Sequence, residues 1–319
     1  MPSSAKPCCL VTGCAGNVGS NITVALLNKG CSVVGIDNFY SGTPGNMTDF
    51  CDNPSFSFHE RSITDSSFLD HLFQERLPFT AVIHLAAIIS VPYSMEHPEE
   101  TLRINHEASL NLHARSQNAG CGTFVFAGSA AEYGRPLSRP ASEQDAGDSI
   151  SPYGLSKHLV SRAIEESGYG CSLRFFNIYG PTRAKPGPYD GVVRLFLDRS
   201  SKGLPPVILG DGQQTRDFLF LGDAVEALVR ASGVESAEPL TGIFNVGTGL
   251  GTSIDRLARN ILELYGIPGE PEFAPERPGD IRFSVADNTK LRRATGWVPA
   301  TRVEQGLPLT IKGMRRFMA

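Results

Sequence analysis

Three glycines near the amino terminus constrain the fold of this chain more than any other feature. The apolar run Cys8–Thr12 is followed by a helical pattern of apolar side chains, and the turn between them contains Gly13, Gly16 and Gly19. A second apolar run over residues 32–36 ends at Asp37. This order of strand, glycine turn, helix and strand predicts a βαβ unit with parallel strands.

The glycine turn is typical of sites that bind a dinucleotide. Where side chains are missing, the backbone can approach a pyrophosphate, whose charge then lies against the N-terminus of the following helix. Asp37 is placed to accept hydrogen bonds from both ribose hydroxyls and to repel a 2′-phosphate, which favours NAD over NADP. The alternative interpretation of Asp37 is a turn residue at a strand end. The predicted cofactor contacts in the turn are Gly13, Gly16, Asn17, Val18 and Gly19.

Strands and helices continue to alternate after this unit. Apolar runs over residues 56–58, 81–85 and 123–127 predict further strands, and residues 68–73 and 98–119 predict helices. The pattern predicts an α/β fold with a doubly wound parallel sheet of the Rossmann type. The fourth strand leads into small residues that let a cofactor lie against the backbone, so the predicted contacts include Leu85, Ala86 and Ala87.

The charge and the cysteine content exclude several classes of protein. The 319 residues include 29 basic and 33 acidic side chains, and a net charge of -4 gives no basis for binding nucleic acid or an anionic membrane. Seven cysteines are scattered without a C-x-x-C pair, so neither a disulfide framework nor a zinc site is predicted. No apolar stretch reaches transmembrane length, and we expect a cytoplasmic protein without a bound metal.

A tyrosine and a lysine are predicted to share one helix face. Ser151 and Pro152 are typical of an N-cap and a first helical position, which places Tyr153 in the opening turn and Lys157 one turn later. Tyrosine ordinarily has a pKa of ~10, and a neighbouring ammonium and a helix N-terminus both favour the phenolate. The alternative is a chance pair on a solvated face.

Ser129 is predicted to lie at the carboxyl end of the fifth strand. Doubly wound sheets place their chemistry at the carboxyl ends of their strands. The serine is therefore a candidate catalytic group. The alternative is a turn residue with no chemical role.

With the glycine turn, Asp37, Ser129, Tyr153 and Lys157 in this order, the chain resembles the extended short-chain dehydrogenase/reductase family. More narrowly, it looks like the nucleotide-sugar epimerase/dehydratase group, nearest to UDP-hexose 4-epimerases. The resemblance covers essentially the whole chain. It implies that Tyr153 is the acid/base, that Lys157 lowers its pKa and binds the nicotinamide ribose, and that Ser129 hydrogen-bonds the reacting sugar oxygen.

The resemblance also implies a division of the chain. Residues 1–175 are expected to form the NAD-binding domain with the catalytic residues. Residues 176–319 are expected to form mainly a smaller mixed α/β substrate-binding domain, with some chain returning to the Rossmann sheet. Ser62 stands where the family often has an aspartate near the adenine. Further implied cofactor contacts are Asn38, Ser41, Gly42, Ser62, Ile63 and Asn105.

The second half of the chain resembles family segments that bind the nucleotide sugar. The implied contacts are Asn177 and Arg216 with the diphosphate, Arg277 with a phosphate, and Asp280 with the nucleoside ribose. Two arginines suit a diphosphate because each guanidinium offers bidentate donors. Ser284 stands where a bulky tyrosine restricts some hexose epimerases, and this small residue implies that UDP-N-acetylhexosamines are admitted.

The residues after Ser129 favour epimerisation over dehydration. In 4,6-dehydratases an Asp-Glu pair follows this serine, whereas Ala130 and Ala131 here transfer no protons. Glu132 is expected on the other face if the strand continues. The resemblance therefore implies NAD-dependent 4-epimerisation of a UDP-hexose through a 4-keto sugar.

Two other interpretations stay open. Epimerisation or decarboxylation of a UDP-uronic acid needs a residue that recognises the C6 carboxylate, and the sequence does not reveal it. A silent NAD-binding sensor is a third class of protein, although it would not need Ser129, Tyr153 and Lys157 together. The family also implies a homodimer formed through the helices near residues 98–119 and 152–166.

Overall fold

The five strands predicted from apolar runs begin and end within about two residues of those runs. The computed structural model describes residues 6–75, 78–134, 137–183, 191–235, 238–276 and 280–318. In chain order the strands are β1 (Cys8–Thr12), β2 (Ser32–Asp37), β3 (Phe56–Glu60), β4 (Ala81–His84), β5 (Phe124–Ser129), β6 (Cys171–Phe175), β7 (Asn177–Tyr179), β8 (Val207–Leu209), β9 (Thr215–Arg216), β10 (Phe218–Phe220), β11 (Gly242–Val246), β12 (Thr252–Ser253), β13 (Glu272–Ala274) and β14 (Phe283–Ser284).

The helices alternate with the strands through most of the chain. Short 3₁₀ turns at Pro44–Met47, Ala130–Glu132 and Glu143–Asp145 supplement them. The α-helices are α1 (Asn17–Asn28), α2 (Ser66–Glu75), α3 (Val91–Glu96), α4 (Pro98–Leu102), α5 (Ala108–Asn118), α6 (Pro152–Ser167), α7 (Val192–Ser201), α8 (Leu221–Ala231), α9 (Ile254–Tyr265), α10 (Thr289–Thr295) and α11 (Val303–Met318).

A seven-stranded parallel sheet forms the centre of the fold. Its order from edge to edge is β11-β6-β5-β4-β1-β2-β3, so the direction of winding reverses between β1 and β4. Such a reversal opens a crevice at the carboxyl ends of the strands, where doubly wound folds bind their ligands. The predicted α/β class with a Rossmann sheet is confirmed.

Apolar side chains cover both faces of this sheet. Along β1, Cys9 and Val11 point to the face covered by α1 and α8, and Leu10 points to the face covered by α2, α5 and α6. Because both faces are buried, the strands are nearly continuous apolar runs instead of alternating ones. The two helical layers hold the carboxyl ends of β1, β4 and β5 in fixed positions.

The second half of the chain packs around a separate apolar cluster formed by α7, α9 and α11. Short sheets pair β8 with β13 and place β9 between β12 and β14. In contrast, β11 pairs with β6 and completes the central sheet. The division of the chain at residues 175 and 176 stays a prediction.

The helix predicted over residues 98–119 is present, but its middle is wound differently. α4 and α5 are joined by a π-helical turn at Arg103–Glu107. Turns of this kind are frequent near functional sites because they redirect a side chain. Among the described residues, no helix is long and apolar enough to cross a membrane.

Two leucines on α9 provide a test of this packing. Leu257 is 0% exposed in the C-terminal cluster, whereas Leu264 is 42% exposed. Because Leu257→Ala leaves a cavity, it should lower the free energy of unfolding by about 2–5 kcal/mol. Leu264→Ala should change it by about 0.5 kcal/mol or less. Urea unfolding followed by circular dichroism measures both, and equal losses would contradict the placement of α9.

Candidate active site

The glycine turn joins β1 to α1 with almost no space between the two. A Cβ on Gly19 would lie 1.9 Å from the Gly13 carbonyl oxygen, and Gly13 itself has a φ of 72°. The N-cap of α1 is Gly16, and no side chain caps the helix. The first N–H groups of α1 are therefore open to a ligand, which is the arrangement that binds a phosphate at a helix N-terminus.

A cavity of about 460 Å³ opens in front of this turn. It lies where the winding of the sheet reverses, and most of the predicted cofactor contacts line it. These are Gly13, Gly16, Asn17, Val18, Gly19, Asp37, Asn38, Ser41, Ser62, Ile63, Leu85, Ala86 and Ala87.

Asp37 lies at the end of β2 and is 7% exposed. One carboxylate oxygen accepts the N–H of Ala15 at 2.9 Å and the other accepts the N–H of Phe39 at 2.8 Å. Each oxygen retains a second lone pair for a ribose hydroxyl. The open helix start and this carboxylate, both on the cavity wall, fit the pyrophosphate and the ribose of a dinucleotide.

Two predicted cofactor contacts, Gly42 and Asn105, pack behind the residues that line the cavity. A Cβ on Gly42 would meet the Ala15 carbonyl carbon at 2.8 Å, so this glycine lets the loop after β2 pack against the glycine turn. Asn105 is buried in the π-helical turn, where its amide donates to the Ile88 carbonyl and accepts the Ile88 N–H, both at 2.8 Å. Asn105 thereby holds the backbone that follows Leu85, Ala86 and Ala87.

Ser129, Tyr153 and Lys157 come together at the carboxyl end of β5. Ser129 is the last residue of that strand, and its hydroxyl lies close enough to Tyr153 to lower the pKa of the tyrosine. The Ser151 hydroxyl accepts the Gly154 N–H at 3.1 Å, so Ser151 and Pro152 occupy the predicted N-cap and first helical positions of α6. The three predicted catalytic side chains therefore lie together, although they are not among the residues that line the 460 Å³ cavity.

Lys157 is buried and follows Tyr153 by one turn of α6. Its ammonium donates to the Ala127 carbonyl at 2.8 Å and lies 4.6 Å from the centre of the Phe126 ring. Burial lowers the pKa of Lys157 to about 8, and the negative charge of Glu132 opposes this shift. The Lys157 ammonium therefore loses its proton at a lower pH than that of an ordinary lysine.

Burial raises the pKa of Tyr153, while the hydrogen bond from Ser129 lowers it. This direction differs from the expectation that Lys157 lowers the tyrosine pKa. Burial destabilises the phenolate because a charge is removed from water, and here that effect exceeds the stabilising ones. The protein alone therefore keeps Tyr153 protonated at neutral pH.

The predicted substrate contacts lie in two places. Asn177 begins β7 and lines the cavity. Arg216 and Ser284 are paired in register between β9 and β14, and the Arg216 guanidinium donates to an Asp280 carboxylate oxygen at 2.5 Å. Arg277 lies outside the described residues.

Several residues that line the cavity were not predicted from the sequence. Tyr40 and Ile88 come from loops beside the glycine turn, and Val193 and Arg194 come from α7. These residues belong to no short motif, and the topology alone brings them together.

Glu132 also differs from its expected position. β5 ends at Ser129 instead of continuing, and a 3₁₀ turn brings the Glu132 carboxylate back to accept the Ser129 N–H at 2.9 Å. Serine followed three residues later by glutamate is a capping-box pattern, and that signal could have placed Glu132.

Comparison with known proteins now identifies the family. A sequence profile described as the NAD dependent epimerase/dehydratase family matches residues 9–247. The chain belongs to the NAD dependent epimerase/dehydratase family. The resemblance inferred from the motifs is confirmed, and the protein is an NAD-dependent enzyme of the extended short-chain dehydrogenase/reductase type.

Three UDP-glucose 4-epimerases match over nearly their full length. The chain is 36% identical to UDP-glucose 4-epimerase of Mycolicibacterium smegmatis, covering 96% of this chain and 98% of the relative. A Thermotoga maritima UDP-glucose 4-epimerase solved with UDP-glucose has a TM-score of 0.89 and 33% identity, covering 98% of this chain and 100% of that one. A Thermus thermophilus UDP-glucose 4-epimerase solved with NAD has a TM-score of 0.84 and 34% identity, covering 97% and 99%. Relatives named as decarboxylases of UDP-sugar acids also match, at 28% to 32% identity.

The glycine turn yields a test of the cofactor site. Gly19→Ala places a methyl group against the Gly13 carbonyl, so the turn must shift and NAD affinity should fall by about tenfold or more, equivalent to about 1.4 kcal/mol. Gly45→Ala is the control, because its Cβ meets only the Thr43 hydroxyl at 3.6 Å. Calorimetric titration with NAD measures both variants. Unchanged affinity in a folded Gly19→Ala protein would contradict the placement of the pyrophosphate.

Proposed function

We propose that the protein catalyses the 4-epimerisation of a UDP-hexose, with Tyr153 as the acid/base. The substrates are UDP-glucose and UDP-galactose, together with UDP-GlcNAc and UDP-GalNAc. The observation that carries the proposal is that Ser129, Tyr153 and the buried Lys157 meet at the carboxyl end of β5, in a member of an NAD-dependent family. The relatives named UDP-glucose 4-epimerase support the same reaction.

In the proposed reaction, Tyr153 accepts the proton of the sugar 4-hydroxyl while Ser129 hydrogen-bonds the same oxygen. The glycine turn and Asp37 would hold NAD, which would supply the acceptor and donor of the C4 hydride. Because burial raises the pKa of Tyr153, the base form must be stabilised by positive charge beside it. Lys157 supplies one such charge while it stays protonated.

The residues around Ser129 support epimerisation over dehydration. The 3₁₀ turn after Ser129 begins with Ala130 and Ala131, and neither side chain can donate or accept a proton. Glu132, the first carboxylate after the serine, is fully buried and bonded to Arg174. Elimination of water requires an acid and a base at the sugar, whereas 4-epimerisation requires only the group that acts at the 4-oxygen.

We propose that the second half of the chain holds the nucleotide and the sugar. Asn177 and Arg216 bind the diphosphate together with Arg277, and Asp280 binds the ribose. The 2.5 Å pair between Arg216 and Asp280 keeps the two groups adjacent, as contacts to neighbouring phosphate and ribose require. Ser284, beside Arg216 in register, leaves room for an N-acetyl group.

A second candidate substrate is a UDP-uronic acid. Relatives named UDP-glucuronic acid decarboxylase and UDP-N-acetyl-α-D-glucosaminuronate decarboxylase favour it. Oxidation at C4 is shared with epimerisation, and loss of CO₂ distinguishes the two outcomes.

We also propose that the protein is a homodimer. Exposed apolar side chains on α3 and α6 support it, among them Met95 at 59% and Leu155 at 40% exposure. Sedimentation of the NAD-bound protein at the mass of one chain would contradict this assembly.

The cytoplasmic location stays a prediction that fractionation of the source cells can test.

Turnover of a panel of nucleotide sugars tests the proposed reaction. The panel contains UDP-glucose, UDP-GlcNAc, UDP-glucuronic acid, dTDP-glucose and GDP-mannose, with products separated by chromatography. We expect conversion of UDP-glucose to UDP-galactose and of UDP-GlcNAc to UDP-GalNAc. Release of CO₂ from UDP-glucuronic acid without epimerisation would favour the second candidate. Conversion of UDP-glucose without UDP-GlcNAc would contradict the role of Ser284.

Tyr153→Phe tests the acid/base. Removal of the hydroxyl should lower kcat by about 10²-fold or more, because general acid–base catalysis contributes that much, while NAD stays bound. Tyr169→Phe is the matched control, since that hydroxyl bonds Ser116 at 2.7 Å away from the site. Near-full activity of Tyr153→Phe would overturn the proposed mechanism.

A further inference from the structure

Glu132 is a fully buried carboxylate that lies directly behind Ser129. It is 0% exposed, and its Oε1 atom accepts the Ser129 N–H at 2.9 Å. The same oxygen accepts the Ser161 hydroxyl of α6 at 3.1 Å. One carboxylate oxygen thus connects the strand end that carries Ser129 to the helix that carries Tyr153 and Lys157.

The other oxygen of Glu132 is held by Arg174 of β6. The Arg174 Nε–H donates to Oε2 at 2.6 Å, and the arginine is 1% exposed. Its Nη1 atom donates to the Glu143 carbonyl at 2.7 Å, and its guanidinium lies 5.3 Å from the centre of the Tyr133 ring. Both charges of this buried pair are therefore satisfied, as burial of an ion pair requires.

The surrounding backbone packs closely against Glu132. A Cβ on Gly128 would lie 2.8 Å from the Glu132 Oε1 atom, so the strand passes close to the carboxylate. The Glu132 carbonyl accepts the Ser149 hydroxyl at 3.2 Å, which ties the 3₁₀ turn to the segment that leads into α6. Three elements, β5, β6 and α6, converge on this one side chain.

We propose that Glu132 is a positioning residue for the proposed reaction: it fixes Ser129 relative to Tyr153 and supplies the negative charge that balances the Lys157 ammonium. The inference rests on the proposed function, because it assigns a role within that same catalytic group. Glu132 makes no contact with the reacting sugar in this role and acts through Ser129 and Lys157.

The charged and titratable groups that face Glu132 define its electrostatic effect. They are Arg174 on β6, together with Lys157, Tyr153 and His158 on α6; the His158 Nδ1 atom lies 4.0 Å from Oε2. The negative charge of Glu132 raises the pKa values of Lys157, Tyr153 and His158. Without it, the ammonium would lose its proton at lower pH, and the phenolate would form at lower pH.

The pH dependence of kcat in Glu132→Gln tests this role. The amide oxygen can still accept the Ser129 N–H, but the negative charge is gone. We expect kcat to fall and both limbs of the pH profile to move to lower pH by about half a unit or more. A variant that only disturbed packing would lower the height of the profile without moving its limbs, and unmoved limbs would overturn the inference.

Asp223→Asn is the matched control. Asp223 is also a buried carboxylate that accepts backbone N–H groups, those of Ala300 at 2.9 Å and Thr301 at 3.0 Å, but it lies on α8 away from Ser129. Its amide variant should leave the pH profile in place. A shift as large as that of Glu132→Gln would show a general effect of buried charge and would overturn the specific role.

A second measurement needs no turnover. The ionisation of Tyr153 is read as the difference in tyrosinate absorbance between proteins with and without Tyr153→Phe, each in the presence and absence of Glu132→Gln. We expect a lower midpoint in the Glu132→Gln background, and an equal midpoint would overturn the inference. If the wild-type protein epimerises no sugar, the proposed function fails while this titration still tests Glu132.

The double variant Glu132→Gln/Arg174→Gln covers the case in which Glu132→Gln does not fold. It removes both buried charges together, so no unpaired arginine remains. Because Glu132 bonds the Ser129 N–H and Arg174 bonds the other carboxylate oxygen, loss of both charges should still lower the midpoint for Tyr153, but by less than Glu132→Gln alone. An unchanged midpoint in the folded double variant would overturn the inference.

Discussion

The contact between α1 and the glycine turn is the constraint on which the rest of the site depends. Any side chain at Gly19 would occupy the space of the Gly13 carbonyl, so the helix can start against the strand only if both positions are glycine. This contact leaves the helix start uncapped and directed into the cavity. The open N–H groups then determine where a pyrophosphate can lie, and hence where the rest of the cofactor extends.

The protonation of Tyr153 and Lys157 depends on their burial and on the charges near them. Burial of Tyr153 and Lys157 disfavours the charged form of each, which raises the pKa of the tyrosine and lowers that of the lysine. The tyrosine therefore needs positive charge beside it to ionise, and the lysine needs negative charge beside it to stay protonated. Glu132 and Arg174 form a buried ion pair beside these residues, and the negative charge of Glu132 raises the pKa of both side chains.

Much of the fold could be predicted because its signals are local. The strand–turn–helix pattern placed β1, α1 and β2, and Ser151 with Pro152 placed the start of α6, since capping and turn chemistry act over a few residues. Other features depend on tertiary contacts. The π-helical turn at Asn105 follows from its bonds to Ile88, and the pairing of Arg216 with Asp280 joins residues 64 positions apart.

The direction in which Glu132 faces depends on where β5 ends. Alternation along a continuing strand predicted that it would face away, and one 3₁₀ turn after Ser129 reversed that expectation. The tyrosine pKa was likewise beyond sequence reasoning, because the depth of burial is a property of the folded protein. Motifs predicted which groups act, but not the environment that sets their charge.

The fate of the hydrogen at C4 of the sugar tests the proposed 4-epimerisation most directly. The protein is incubated with UDP-glucose that carries deuterium at C4, and the recovered UDP-galactose is analysed by mass spectrometry and NMR. If the hydride moves to NAD and back within one site, the deuterium stays at C4 in the product. Replacement of the deuterium by hydrogen from water would contradict the return of the same hydride to C4.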